Sequence, residues 1–298
     1  MKNIHLEHPE DTILTGNLDV LDWFHEPLSS ISVKMDGSPA IVWGRNPATG
    51  NFFVGTKSVF NKKLIKINET HSDIDRNHSG RVADILHSCF DYLPHSDWII
   101  QGDFIGYGGS DTFHSNTLTY VFPEEVEQKI IIVPHTIYTA RNDLRDAVAS
   151  PLVHQLHSTD DTLFVQVGVE ISPYREDIED VCKFAKQIST LCTFVNDKEA
   201  TNLKKVLNSY IREGKDVNEY EIAEQYDCDI NLIRLWKLVE SIKMDMFCFI
   251  DCDDDIECYI QGEQTDHEGY VLHNEFGSFK IVNRSVFSRA NFNIPKLW

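Results

Sequence analysis

Five short motifs bring together the residue types that chemistry on a phosphate group needs. An amine can attack phosphorus, other cations can hold phosphate oxygens, and carboxylates can bind a metal ion. The motifs read KMDGS at residues 34–38, GTKS at 55–58, QGDF at 101–104, EGYV at 268–271 and FKIV at 279–282. KxDG alone is weak evidence, because a lysine before an Asp-Gly turn is usually a solvated surface residue. The order and context of all five motifs favour Lys34 as a nucleophile.

The motifs resemble those of the covalent nucleotidyltransferase superfamily, which contains DNA ligases, RNA ligases and mRNA capping enzymes. KMDG is similar to the nucleophile motif, GTKS to the second motif, and QGDF to the strand with an acidic residue near the ribose. HEGYVLH resembles the motif with a metal-binding Glu, and FKIV the motif with phosphate-binding lysines. The resemblance spans approximately residues 31–138 and 262–290 and looks closest to phage-type RNA ligases.

This resemblance implies that Lys34 becomes covalently adenylylated and that ATP and Mg²⁺ or Mn²⁺ are the cofactors. It implies catalytic roles for Lys34 and Lys280 and a metal site at Glu268 and Asp103. The residues that it implies for ATP binding are Asp36, Gly37, Lys57, Asp103, His135, Glu268, Lys280 and Arg284.

The chemistry explains why such residues are needed. A lysine attacks the α-phosphate of ATP only as a neutral amine, so its ordinary pKa of about 10.4 must fall. We expect Lys280 and Mg²⁺ to lower the pKa of Lys34 by disfavouring the ammonium form. Lys57 and Lys280 are the candidate cations for the developing phosphate charge, and Glu268 and Asp103 are hard oxygen ligands suited to Mg²⁺. Alternatively, Glu268 and Lys280 form a cross-strand surface ion pair.

Two positions depart from the superfamily pattern. Val282 stands where many members carry a second lysine, which leaves Lys280 with less help unless Arg284 or Lys62 reaches the phosphates. Pro134 stands where an aromatic residue usually stacks on adenine, so His135 is only a substitute for that role.

Composition restricts the class of protein. The chain has 298 residues, 42% of them hydrophobic, which is enough to build a large core. Its seven cysteines include no CxxC pair, so we interpret them as buried thiols rather than zinc or disulfide partners. The net charge of −20 opposes broad wrapping of nucleic acid. No membrane span or signal peptide is evident, and we expect a cytoplasmic protein, in the host cytoplasm if phage-encoded.

Hydrophobic periodicity predicts an α+β fold built on antiparallel sheets. Residues 1–174 read as strands, including a hairpin from Ile31–Val42 to 52–54 and a strand over Leu163 to Val169. Further strands return in 248–298, the first of them predicted over Met246 to Ile250. Residues 175–247 read as a helical insertion. Glycine and asparagine between Tyr270–His273 and Ser278–Val282 predict a second hairpin. We expect no C-terminal oligonucleotide-binding barrel.

Other patterns fail on their own spacing. His267 begins an HExxH sequence, but Val271 occupies the second His position. Residues 251–255 resemble a calcium loop, but Ile256 replaces the required Gly, and we interpret them as a solvated acidic hairpin tip. Residues 220–239 have the outline of a helix-turn-helix, yet its acidic residues would repel DNA, and packing on the core is favoured.

The motifs together favour an ATP-dependent RNA ligase that acts on 5′-phosphate and 3′-hydroxyl ends. KxDGS looks more like phage-type RNA ligases, whereas DNA ligases commonly have an Arg where this chain has Pro39. The alternatives are a nucleotide-binding or structural protein that kept the fold without ligation, and a DNA ligase with DNA as its partner.

Overall fold

The structure is a computed structural model that describes residues 6–172 and 175–294. Its α-helices are α1 (Pro9–Thr12), α2 (Asp19–Trp23), α3 (His71–Asn77), α4 (Gly80–Tyr92), α5 (Arg175–Ser189), α6 (Asp197–Glu213), α7 (Glu219–Tyr226), α8 (Ile230–Phe247) and α9 (Arg289–Asn293). Its strands are β1 (Ser30–Lys34), β2 (Ala40–Arg45), β3 (Phe52–Gly55), β4 (Ile99–Tyr107), β5 (Ser110–His114), β6 (Thr119–Val126), β7 (Ile130–Thr139), β8 (Val148–Pro151), β9 (Thr162–Phe164), β10 (Gly168–Ile171), β11 (Ile250–Asp253), β12 (Glu257–Ile260), β13 (Glu263–Thr265), β14 (Gly269–Asn274) and β15 (Gly277–Val282). The α+β class is confirmed.

Two antiparallel sheets carry the five motifs. One has the strand order β1-β14-β15, and the other has β3-β2-β4-β7-β8 with β9 added parallel to β7. The predicted hairpins β2-β3 and β14-β15 are confirmed. The prediction of one continuous strand over Ile31–Val42 is wrong, because the chain leaves the first sheet at Lys34 and enters the second at Ala40. The KMDGS motif is therefore the crossing between the two sheets.

Two smaller sheets connect the second half of the chain to the first. One has the order β13-β12-β6-β5, and the other pairs β10 with β11. The predicted strand over Leu163 to Val169 is divided between β9 and β10. The acidic hairpin tip predicted at 251–255 is wrong, because β11 and β12 pair with strands of different sheets and not with each other.

The helical segment follows its sequence signals closely. α6 begins with a capping box in which the Asn196 side chain accepts from the backbone N–H of Glu199, and it ends at the left-handed Gly214. α8 continues to Phe247, so the strand predicted to start at Met246 is wrong there. Met246 is fully buried on the α8 face that also carries Val239 and Ile242, which extends the helical period.

The helices share a hydrophobic core with the rest of the chain. One hydrophobic core joins buried residues of α5–α8, the three-stranded sheet and the N-terminal helices, including Leu14, Trp236 and Leu272. α1 packs on α8 and α2 packs on α5. The predicted boundary at residue 174 lies outside the described residues, as do residues 1–5 and 295–298 of the predicted core.

The helix-turn-helix outline is used for packing. Ile222, Ile233 and Trp236 are fully buried. Lys237 donates to Glu219 at 2.9 Å, and the Arg234 guanidinium lies 3.9 Å from the same carboxylate. In the described part of the chain, no helix is long and apolar enough to cross a membrane.

Candidate functional site

Lys34 ends β1 at the point where the two motif-bearing sheets meet. β1 pairs with β14 in a register that sets Lys34 opposite Gly269, the residue after Glu268. The Lys34 Nζ donates a hydrogen bond to Glu268 Oε2. The lysine side chain is 30% exposed and the glutamate 9% exposed, so the pair is open on the lysine side. The nucleophile motif and the predicted metal motif thus meet directly.

Gly269 explains why a glycine follows Glu268. Its φ is +153°, a conformation that favours glycine, and a Cβ there would lie 2.1 Å from the backbone oxygen of Ile281. Any larger residue would separate β14 from β15. The close approach fixes the chain at the point where Glu268 turns toward Lys34.

Gly37 has a similar role in the KMDGS crossing. A Cβ at Gly37 would lie 2.7 Å from the Asp103 Cβ and 3.0 Å from the Phe104 backbone oxygen. The backbone N–H of Ser38 donates to that same oxygen at 2.9 Å. Glycine therefore lets the crossing lie directly against β4, which brings Asp103 next to the nucleophile.

Asp36 points away from solvent and anchors a loop. Its carboxylate accepts from the Asn116 side chain at 2.9 Å and from the backbone N–H groups of Thr117 and Leu118 at 2.5 and 3.2 Å. Its own N–H donates to the Tyr120 hydroxyl at 2.5 Å. Asp36, predicted to bind ATP, is thus 6% exposed and already holds three donors, so its contribution is to position Lys34. Sequence reasoning missed the 116–118 loop, because two of its three donors are backbone N–H groups, which every non-proline residue carries.

Asp103 lies in β4 beside His135 of β7. The pairing of β4 with β7 shifts register between Gln101 and Gly102, which leaves His135 as an extra residue. The His135 Nε2 lies 3.6 Å from Asp103 Oδ2. Burial raises the pKa of Asp103, but His135, Lys34 and Lys57 outweigh it and the pKa is lowered. Asp103 is therefore a carboxylate at neutral pH.

Two candidate phosphate-binding lysines, Lys57 and Lys280, interact electrostatically with the site residues. Lys57 is exposed in the short helix after β3, and its charge reaches Asp103. Lys280 lies opposite Val271 in β15, and burial together with the charge of Lys34 lowers its pKa. Glu268 bonds to Lys34, so the alternative of a Glu268–Lys280 surface pair is wrong.

Arg284 and Val282 belong to the core instead. Arg284 is 2% exposed, and its guanidinium donates to Glu10 at 2.8 Å, to Asp11 at 3.2 Å and to Asn208 at 2.5 Å. Arg284, predicted as an ATP ligand, is therefore committed to a buried charged cluster. Val282 is also 2% exposed and packs in the main core. Lys62 is exposed in the loop that follows β3.

The electrostatics of the Lys34–Glu268 pair differ from the sequence-based expectation. Burial disfavours the ammonium form, but the Glu268 carboxylate outweighs it and raises the pKa of Lys34. The nearest charge is an anion rather than Lys280, and the lowering expected from Lys280 together with Mg²⁺ stays a prediction. Burial raises the pKa of Glu268 to about 7, aided by the neighbouring Asp36 and Asp103 carboxylates and opposed by Lys34.

The donor set fits a Mg²⁺ ion that also binds phosphates. Glu268 uses Oε2 toward Lys34, and Asp103 has a carboxylate oxygen toward His135. Hard carboxylate oxygens match Mg²⁺, which usually takes one or two protein carboxylates and completes its shell with water and phosphate oxygens. Among the described residues, Glu268 and Asp103 belong to no compact group of three metal-ligating side chains.

Comparison with known proteins gives one family. No curated protein matches the chain, and no solved structure matches it. A family model described as a family of unknown function, DUF6267, matches residues 3–227 and 219–296. Because these matches cover nearly the whole chain, this protein belongs to the DUF6267 family.

Proposed function

We propose that this protein is an ATP-dependent polynucleotide ligase, and more narrowly an RNA ligase, that works through a covalent lysyl-AMP on Lys34. One observation carries the proposal: motifs that lie far apart in the sequence surround a single lysine amine. Lys34 has Glu268 as its hydrogen-bond partner, and the charges of Asp103 and Lys280 reach the same group. A solvated surface lysine would not need such neighbours.

The architecture agrees with what the resemblance implies. A nucleotidyltransferase core holds ATP between antiparallel sheets, with the nucleophile on one strand and the metal and phosphate motifs on a hairpin. Here β1 carries Lys34 and the β14-β15 hairpin carries Lys280, with Glu268 directly before it. The second sheet supplies Asp103 and, after β3, Lys57.

The Lys34–Glu268 pair offers a route to the neutral amine. Glu268 accepts the hydrogen bond from Lys34 Nζ, so its carboxylate is in direct contact with the proton that the amine must lose. The neutral amine then attacks the α-phosphorus of ATP. The Nζ–P bond forms, the bond from phosphorus to the pyrophosphate oxygen breaks, and pyrophosphate leaves. Glu268 later returns the proton to solvent.

Cationic groups stabilise the charge that develops on the phosphate oxygens. Lys280 is placed for the α-phosphate beside Lys34, and Lys57 for the leaving pyrophosphate. Glu268 and Asp103 would hold Mg²⁺, which when bound neutralises phosphate charge. His135 stays a prediction for the nucleotide site, since its ring meets Asp103.

The RNA assignment rests on charge and on the KxDGS motif. A chain with a net charge of −20 can bind nucleic acid only where cations are local. Lys57, Lys62 and Lys63 are exposed within residues 57–63, and the charge of Lys57 reaches Asp103. Such a short basic strip suits a strand end, where a 2′-hydroxyl can be recognised, better than a long duplex.

A second candidate function is nucleotide binding, or AMP transfer, without ligation. It is favoured by Val282 and Arg284, which are both buried in the core and leave Lys280 without a second cation on β15. A DNA ligase is the remaining alternative.

The test combines labelling with sealing. Incubation with α-labelled ATP and Mg²⁺ should leave AMP on the wild-type chain in an acid-labile bond, and a 5′-phosphorylated RNA nick should be sealed faster than a DNA nick at equal salt. Lys34→Arg should lose the label. Its matched control is Lys205→Arg, because Lys205 is exposed on α6, far along the chain from the motifs. Faster sealing of DNA contradicts the RNA assignment. Labelling without sealing supports the second candidate, and no labelling contradicts the proposal as a whole.

A further inference from the structure

A second group of chemically reactive side chains lies next to the Lys34–Glu268 pair in sequence and space. Cys252, Asp254 and His267 each offer one ligand atom, and these atoms all lie within 4.8 Å of one another. Over residues 6–172 and 175–294 this is the only group of three or more such residues. His267 directly precedes Glu268.

The group is largely shielded from solvent. The side chain of His267 is 7% exposed and that of Asp254 is 12% exposed. His267 Nε2 lies 2.9 Å from Asp254 Oδ2, and Asp254 Oδ1 accepts from the backbone N–H of Ile256 at 2.9 Å. One carboxylate oxygen is thus fixed by the backbone, and the other faces the imidazole and the thiol.

Cys258 orients the imidazole from its other side. The Cys258 Sγ lies 3.4 Å from His267 Nδ1, which matches a hydrogen bond between these two atoms. When Nδ1 carries the proton, Nε2 keeps its lone pair for a metal. This is the arrangement by which residues around a metal site fix the tautomer of a ligating histidine.

We propose that Cys252, Asp254 and His267 bind a Zn²⁺ ion, with Cys258 as a positioning residue behind the histidine. One sulfur, one nitrogen and one oxygen donor suit zinc, whereas magnesium and calcium prefer oxygen alone. Tetrahedral zinc with bonds of about 2.0–2.3 Å holds its ligand atoms about 3.5 Å apart, so the 2.9 Å distance between His267 Nε2 and Asp254 Oδ2 must widen slightly, and distances of up to 4.8 Å within the group must shorten. A water molecule would take the fourth position.

Zinc binding would change the thiol chemically. The Zn–S bond forms, the S–H bond of Cys252 breaks, and the proton goes to solvent. The ion would then tie β11 and its following linker to the residue before Glu268. This inference goes beyond the ligase proposal, because a zinc site would form whether or not Lys34 is adenylylated.

The test uses Co²⁺ and Zn²⁺ with the full chain. After removal of metal with a chelator, Co²⁺ should bind at one equivalent per chain with the intense visible bands of tetrahedral cobalt and a thiolate charge-transfer band, and Zn²⁺ should displace it. Cys252→Ser should abolish the charge-transfer band, and Cys258→Ser should weaken binding by about 10- to 100-fold. Cys248→Ser is the matched control, because Cys248 is exposed and only four residues away. Binding that is unchanged in Cys252→Ser, or no cobalt binding by the wild type, overturns the proposal.

A measurement on the wild type alone avoids dependence on folding of the variants. Zn²⁺ should slow alkylation of Cys252 by a thiol reagent, as mapped on peptides, and should leave alkylation of Cys248 unchanged. Equal rates at Cys252 with and without Zn²⁺ overturn the proposal.

Discussion

Two lysine–glutamate pairs in this protein have the same residue types and opposite electrostatics. Lys34 bonds to Glu268 between the two motif-bearing sheets, and Lys243 of α8 bonds to Glu10 of α1 at 2.7 Å inside the core. Lys243 and Glu10 are both 0% exposed, whereas Lys34 is 30% exposed. The pKa of Glu10 is lowered well below its usual range, and the pKa of Glu268 is raised to about 7.

The neighbours of each carboxylate explain the difference. Burial raises the pKa of both, but Glu10 contacts two cations, Lys243 and Arg284, which reverse the effect. Glu268 contacts one cation and has two acidic neighbours, Asp36 and Asp103. Glu10 is therefore held as a carboxylate inside the core, where it accepts from Lys243 and Arg284. The Glu268 carboxylate, with its pKa raised to about 7, can exchange a proton with solvent near neutral pH, which suits general acid–base work.

The largest expected effect separates chemistry from stability at Lys34. Lys34→Arg keeps the positive charge opposite Glu268 but removes the nucleophilic amine. We expect adenylylation to fall by about 10³-fold or more. The free energy of unfolding should change by less than about 1 kcal/mol, because the Lys34 side chain is partly exposed. Labelling that stays near the wild-type level in this variant would place the nucleophile elsewhere.

At the core pair, by contrast, we expect a substitution to lower the stability of the fold. Lys243→Met leaves Glu10 buried with less compensation, and breaking a buried pair costs about 3–5 kcal/mol. The urea unfolding midpoint should fall accordingly, or the variant should not fold. Lys237→Met is the control on the same helix, since its half-exposed pair with Glu219 is worth about 0.2–1 kcal/mol. An equal fall of the urea unfolding midpoint in both variants would mean that burial does not distinguish the two ion pairs.

A smaller effect is expected in the pH profile of adenylylation. Glu268 must be a carboxylate both to hold Mg²⁺ and to accept the proton of Lys34, and its pKa is raised to about 7 in the metal-free protein, so the rate should rise with pH and then level. Glu268→Gln cannot accept a proton at any pH. It should lower the rate by about 10²-fold and remove the rise near pH 7. A rise that persists in the variant would assign the titration to another group.

The smallest effect is expected at Lys280. Lys280→Ala should reduce adenylylation by about 10-fold through the loss of one phosphate-binding cation, and the fold should stay intact. Single-turnover labelling rates measure this, with Lys205→Ala as the exposed control. Rates equal to the wild type would mean that Lys280 does not contact the nucleotide.

Sequence patterns predicted most of the fold. The four helices of the 175–247 segment and both hairpins follow from periodicity, caps and turn residues, which are local properties. The errors arose where a strand changes sheet, at residues 35–39 and 165–167, and where α8 runs past Met246. Such changes depend on contacts between distant segments, and no local pattern records them.

The candidate site was predicted in composition but not in electrostatics. The motifs located Lys34, Asp103 and Glu268, because each residue type stands in a recognisable short context. The commitment of Arg284 to Glu10 could not be predicted, since α1 gives no sequence sign that it packs on α8. The cysteine–histidine group at Cys252 was missed because its ligands do not follow the CxxC spacing.

The most direct test is the site of AMP attachment on the wild-type protein. After incubation with ATP and Mg²⁺, intact mass should increase by one AMP, and peptide mapping under non-acidic conditions should find that AMP on Lys34. Pyrophosphate should remove it, because the reaction is reversible while the phosphoramidate bond is intact. An adduct on Lys57 or Lys280, or no adduct on any residue, would contradict the account.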